Sequence, residues 1–251
     1  LNRMENKIEY KDVIKSTSHD QKEIMYNIMQ LHNGGKPFYA DMTYSSGKFY
    51  EPKKGDKYII PAPTVKLDVV PQFNDVLKLE PLGKLPFEDN SIESLVIDLP
   101  FVIAPRDSAS TKLTDQNGRN VIMNRFSFYY PVAEMLESYH HWINEAYRVL
   151  KPDGICVFKC QSTVTGGKQL MSCEYSWLCA TAAGFYTLDQ FFLLAKNRLH
   201  SGKIKTQQHA RKFTSTFYVF KKSDKKKISY MKWMDDEKQS EFIKNLQDQL
   251  V

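Results

Sequence analysis

Ile92-Glu93-Ser94-Leu95-Val96-Ile97-Asp98-Leu99-Pro100-Phe101 decides how this chain is read. The apolar run predicts a buried strand, and it ends on a carboxylate, a proline-fixed turn and an aromatic ring. Open α/β sheets bind their ligands at the carboxyl ends of their strands. The residue types at this strand end suit methylation of the exocyclic amine of a nucleobase. The Asp98 carboxylate and the turn carbonyls can accept both amine hydrogens, while the Phe101 ring stacks on the base.

N-terminal to that strand, a helix is predicted from Thr17-Ser18-His19-Asp20, with Ile24, Met25, Ile28, Met29 and Leu31 at helical spacing and a stop at Asn33-Gly34-Gly35. Phe38-Tyr39-Ala40 reads as the first strand. It runs into Asp41-Met42-Thr43-Tyr44-Ser45-Ser46-Gly47, a turn of small polar residues whose backbone N–H groups can meet a ligand. Residues 51–63 hold three prolines and several lysines, so an irregular loop is predicted where a helix would ordinarily follow. Val65-Lys66-Leu67-Asp68-Val69-Val70 and Asp75-Val76-Leu77-Lys78-Leu79-Glu80 read as the second and third strands.

C-terminal to Phe101, residues 104–128 are rich in Ser, Thr, Asp, Asn and Arg, which predicts a long loop of the kind that carries function. Pro131 opens a helix with Val132, Met135, Leu136, Tyr139, Ile143, Ala146, Tyr147 and Leu150 on one side, stopped by Lys151-Pro152-Asp153-Gly154. Gly154-Ile155-Cys156-Val157-Phe158-Lys159 is the fifth strand, residues 173–183 are helical, and 185–195 and 213–220 form an antiparallel edge hairpin joined by a basic loop. A lysine cluster (Lys221, Lys222, Lys225, Lys226, Lys227) and a charged helix over 235–250 follow. The expected organisation is a catalytic domain over 1–222 and a basic linker with a helix over 223–251.

A net charge of +6 over 251 residues permits a polyanionic partner. No apolar stretch reaches the roughly 18–20 residues of a membrane span, and no apolar h-region follows the first residues, so a cytoplasmic chain with no membrane partner is expected. Cys156, Cys160, Cys173 and Cys179 form no Cys-x-x-Cys pair and read as buried free thiols. His140 and His141 point in different directions on a helix, so no metal site is expected.

With its elements in this order, the chain over 17–222 resembles a class I S-adenosylmethionine-dependent methyltransferase of the branch acting on exocyclic amines of nucleic-acid bases, the DNA adenine-N6 and cytosine-N4 type. That family carries Asp/Asn/Ser-Pro-Pro-Tyr/Phe/Trp after its fourth strand, which Asp98-Leu99-Pro100-Phe101 matches except at Leu99. Some RNA guanine-N2 methyltransferases with a THUMP domain have Asp-Leu-Pro-Phe there. The family turn Asp-x-Phe-x-Gly-x-Gly is similar to residues 41–47, with Ser45 in place of the first glycine. Arg148-Val149-Leu150-Lys151-Pro152-Asp153-Gly154 resembles the family's Arg-Val-Leu-Lys-Pro-Gly-Gly, and Gln207-Gln208-His209-Ala210-Arg211-Lys212 is similar to a segment of small phage-type relatives that modify DNA.

The resemblance implies a Rossmann-like α/β fold, a mostly parallel seven-stranded sheet with an antiparallel terminal hairpin, and S-adenosylmethionine as cofactor. Asp98, Leu99, Pro100 and Phe101 are the candidate catalytic residues. Asp41, Thr43, Tyr44, Ser45 and Gly47 would hold the cofactor, with Asp68 on its ribose and Glu80 near its adenine. Arg119, Arg125, Phe128, Lys205, His209 and Arg211 are the candidate nucleic-acid contacts. The expected substrate is DNA, adenine N6 before cytosine N4. RNA and a catalytically silent nucleic-acid-binding subunit are the alternatives, and a partner subunit or homodimer is a further source of target recognition.

Overall fold

The computed structural model describes residues 13–103, 129–196, 207–224, 228 and 230–250. Its main sheet contains β1 (Thr17–Ser18), β2 (Ala40–Asp41), β3 (Val65–Asp68), β4 (Leu77–Lys78), β5 (Ile92–Asp98), β6 (Leu150–Cys160), β9 (Tyr186–Leu194) and β10 (Thr214–Lys221), in the spatial order β1-β9-β10-β6-β5-β2-β3-β4. Every neighbouring pair is parallel except those made by β10, which is antiparallel to both β6 and β9. From β2 the chain builds outward through β3 and β4, then returns to the other side of β2 for β5 and β6. The point of reversal lies between β2 and β5, where a doubly wound sheet opens its ligand crevice. This is a Rossmann-like α/β sheet, mostly parallel with an antiparallel terminal hairpin, as the resemblance implies, though with eight strands rather than seven.

Two layers cover the sheet. On one face α2 (Val132–Val149) and α3 (Ser172–Ala183) bury Met135, Tyr139, Trp142, Ile143, Ala146 and Ala180 against Leu95, Ile97, Phe158 and Phe220. On the other, α1 (Gln21–His32) buries Ile24, Met25, Ile28 and Met29 against Val96, Val157, Phe217 and Val219. The rest of that second layer is irregular chain. Phe49, Tyr50 and Ile60 pack beside α1 in the same cluster, and Lys22 of α1 pairs with Asp56. No helix or strand lies between Asp41 and Val65, as the prolines predict.

Several boundaries depart from the sequence reading. Asp20, the last of the four residues that read as the helix start, caps α1, its side chain accepting the Lys22 N–H at 2.8 Å. Thr17 and Ser18 instead form β1, which pairs in parallel with Phe192 and Leu193 and gives the sheet an eighth strand. That long-range pairing carries no mark in the sequence. The third strand shrinks to Leu77–Lys78, leaving Glu80 beyond its end. A small hairpin, β7 (Thr163–Thr165) and β8 (Lys168–Leu170), leaves the carboxyl end of β6 and turns through Gly166 and Gly167, both at positive φ as a two-residue turn requires. The C-terminal helix is α4 (Asp236–Leu250). No helix among the described residues is long and apolar enough to cross a membrane.

Candidate active site

Asp98 is the last residue of β5, and its backbone N–H donates to Thr43 Oγ1 at 2.7 Å. The Thr43 hydroxyl in turn donates to Asp41 Oδ1 at 3.1 Å, and the Thr43 N–H reaches the same oxygen at 2.8 Å. The two strand ends that the sequence singles out are therefore stitched together across the switch point by one side chain. Asp41 has 0 % of its surface exposed, and its second oxygen accepts the Tyr50 hydroxyl at 2.8 Å. Burial pushes its carboxyl up to about 7, against the opposing pull of the Thr43 and Tyr50 hydrogen bonds. Tyr50, equally enclosed, is held well above its ordinary value, first by burial and then by Asp41. Asp41 thus shapes the turn from beneath.

The turn itself is tight. Ser45 sits at φ +49°, the left-handed region that glycine occupies at low cost, and its N–H donates to Asp68 Oδ2 at 2.7 Å. Gly47 sits at φ +67°, and a Cβ there would lie 2.6 Å from the Tyr44 hydroxyl. Tyr44 lies flat on Tyr50, centroids 5.7 Å apart and planes 6° from parallel, with Lys66 Nζ 5.2 Å from its ring centroid. Asp68 ends β3, and its other oxygen accepts the Val70 N–H at 2.8 Å. Burial raises its pKa. Each of its oxygens keeps lone-pair capacity for a further donor. Glu80 stands apart from this group, 74 % exposed and 3.3 Å from Lys78 Nζ.

The Asp98 carboxylate is paired. Lys159 Nζ lies 2.7 Å from Oδ2, with side chains 13 % and 23 % exposed respectively. Leu99 is buried in the α2 core, and the Pro100 carbonyl accepts the Tyr139 hydroxyl at 2.9 Å. Phe101 is half-buried. Past it, Ile103 bridges Tyr129, whose N–H donates to the Val102 carbonyl at 3.0 Å, so the chain departs and re-enters beside the Asp98 turn. Arg119, Arg125, Phe128 and Lys205 lie outside the described residues. His209 and Arg211 are exposed in the segment leading into β10, and His209 Nε2 lies 2.9 Å from the Gly167 carbonyl of the β7–β8 turn. Because β10 runs antiparallel to β6, that segment and the β7–β8 hairpin sit at the same end of the sheet as Asp98, the carboxyl ends of β5 and β6.

The sequence reading assigns Lys159, Tyr50, Phe49 and Tyr139 no part in the site. Lys159 left one signal: a lone charge closing an apolar strand requires a partner. The others pack through contacts between distant segments. Lys221 and Lys222, read as part of a lysine cluster, are structural. Lys221 pairs with Asp153 and Lys222 donates to Asn90 Oδ1, fastening the end of β10. Lys225, Lys226 and Lys227 lie outside the described residues. All four cysteines are buried free thiols. His141 Nε2 lies 2.8 Å from the Gly83 carbonyl, and a cavity of about 430 Å³ lined by Leu82, Glu137, His140, His141 and Asn144 contains none of the expected site residues.

No protein-family model matches the sequence, and no curated protein matches it. Solved structures of similar fold include the cytosine-N4-specific PvuII DNA methyltransferase (15% identity, 55% of this chain and 45% of that one, TM-score 0.39). They also include a SAM-dependent methyltransferase from Archaeoglobus fulgidus (12% identity, 80% of this chain and 95% of that one, TM-score 0.40). A third is the N-methyltransferase NodS from Bradyrhizobium japonicum WM9 in complex with S-adenosyl-L-homocysteine (10% identity, 81% of this chain and 88% of that one, TM-score 0.40). The chain spans about half the length of the DNA-methylase structures it matches. Likenesses this distant carry no weight on chemistry, which has to come from the chain's own residues.

Proposed function

We propose that this protein transfers a methyl group from S-adenosylmethionine to the exocyclic amino group of a base in DNA, adenine N6 first and cytosine N4 second. One observation carries the reading: the Thr43 hydroxyl joins the small-residue turn after β2 to the backbone of Asp98, so a cofactor turn and an amine-binding carboxylate form one unit at the switch point. The turn suits a nucleoside cofactor on chemical grounds. Left-handed residues at Ser45 and Gly47 bend it close to the strand ends, and Asp68 offers oxygens to vicinal hydroxyls.

Bound S-adenosylmethionine would supply a methyl on a positively charged sulfur that leaves as a neutral thioether. The protein therefore needs no strong base, only alignment of the amine and compensation for the positive charge growing on its nitrogen. Asp98 accepts one amine N–H, a bond that strengthens as positive charge grows on the nitrogen. The Leu99 carbonyl accepts the other, Phe101 stacks on the base, and the proton released after transfer passes to water. A base inside a duplex must be extruded to reach such a turn. His209, Arg211 and the exposed Lys168 of β8, at the same end of the sheet as Asp98, suit phosphate contacts.

The test is transfer of labelled methyl to matched pools of DNA and total RNA, with nucleoside digestion and mass spectrometry. Methylated adenine or cytosine from DNA is expected, and Asp98→Ala should abolish it while cofactor affinity stays within about threefold. Label in RNA alone would move the substrate to RNA, and cofactor binding without transfer to either would favour a silent binding subunit.

A further inference from the structure

We propose that Lys159 is a positioning residue for Asp98 that also sets the charge of its pocket, so that the site accepts a neutral aromatic amine and rejects alkylammonium ions. The inference rests on the methyltransferase reading above and names the chemical class of substrate that the Asp98 turn takes.

Lys159 stands directly opposite Asp98 in the β5–β6 register and directly opposite Phe217 in the β6–β10 register. Its ammonium lies 2.7 Å from Asp98 Oδ2, 5.3 Å from the Phe49 ring centroid and 5.6 Å from the Phe217 ring centroid. Rings at these distances attract the ammonium and restrict its side chain. The carboxylate is thereby fixed through one oxygen. Among the described residues no other group donates to the Asp98 carboxylate, which leaves Oδ1 for a substrate N–H.

A half-buried carboxylate alone is a cation site, since little solvent screens it. It would hold an alkylamine in its protonated form, which has no lone pair to methylate. Paired with Lys159 the carboxylate still orients an N–H, but the local charge is zero. Of the other titratable groups facing Asp98, burial keeps the Tyr50 and Tyr139 hydroxyls protonated, and Asp41, pushed up to about 7 by burial, is mostly uncharged at about pH 6, where the comparison is made. The exocyclic amine of a base, neutral and planar, is what such a pocket favours.

The experiment uses the full chain as wild type, Lys159→Met, Lys159→Arg, Asp98→Asn and the Lys159→Met/Asp98→Asn double variant. Single-turnover methyl transfer and cofactor affinity are measured at about pH 6 with and without n-butylammonium chloride at constant ionic strength. Lys159→Met should slow transfer by about 100-fold, the scale of a misplaced reacting group, with cofactor affinity within about threefold. Lys159→Arg should restore most of the rate. In the Asp98→Asn background Lys159→Met should have no further effect, as expected when one residue acts through the other. Butylammonium should inhibit Lys159→Met and not the wild type.

Equal slowing by Lys159→Met in both backgrounds, or equal inhibition of wild type and Lys159→Met, overturns the proposal while leaving the methyltransferase reading intact. A wild type that methylates neither DNA nor RNA overturns both. Should Lys159→Met lose cofactor binding, Lys159→Gln carries the same comparisons with the same criteria.

Discussion

Asp41→Asn tests how deeply the turn after β2 is set into the protein. The carboxyl is fully buried and its pKa stands at about 7 in the folded chain against 3.8 ordinarily. A folded-state value above the unfolded one means that the fold binds the proton more tightly. The stabilisation is therefore complete below about pH 4 and is lost as pH rises through 7. The gap corresponds to ~4 kcal/mol between the two limits. Asparagine is neutral throughout, keeps a carbonyl oxygen for Thr43, and can donate to the Tyr50 hydroxyl in place of accepting from it. Urea unfolding of wild type and variant from pH 4 to pH 8 should show the variant gaining on the wild type by about that amount. Asp68, whose pKa burial also raises, contributes to both proteins and cancels in the difference. Parallel stability curves would refute the claim that Asp41 resists ionisation in the fold.

Two further outcomes follow from packing. Gly47→Ala places a methyl against the Tyr44 ring at positive φ, so it should cost ~1–2 kcal/mol of backbone strain plus ~0.5–1.5 kcal/mol of the Tyr44–Tyr50 stack. Calorimetry should show Tm lower by roughly 4–12 °C, and a drop under about 2 °C would count against it. Arg148 donates to Glu145, Asp89 and the Leu85 and Phe87 carbonyls, and Glu145 is buried. Arg148→Leu should cost ~3 kcal/mol by stranding that carboxylate, whereas Arg148→Leu/Glu145→Leu should cost less; urea titrations giving the double variant no advantage would oppose this.

The parts of the fold legible in the sequence are those set by local pattern. The β5 run, the α2 periodicity behind Pro131 and the Thr214–Lys221 alternation are each carried by contiguous residues. β1 was lost because two residues at a sheet edge have no pattern of their own. The β7–β8 hairpin does carry a local signal, Gly166-Gly167 between Thr163-Val164-Thr165 and Lys168-Gln169-Leu170, a two-residue turn between short strands. In the site, strand-end acids were visible because the position of a residue relative to an apolar run is a linear property. Lys159 as the partner of Asp98 was not, since lateral pairing across a parallel sheet joins residues separated by a whole helix.

The Thr43 hydroxyl is the only link of its kind between the β2 turn and the Asp98 backbone among the described residues. For the proposed enzyme this gives the two ligand sites a direct route of coupling. Whatever shifts the turn on cofactor binding acts on the Asp98 amide, and by reciprocity a seated base tightens the hold on the cofactor by the same factor. A valine at position 43, equal in shape and lacking the hydroxyl, should weaken that coupling, read as a smaller effect of each ligand on the other's affinity.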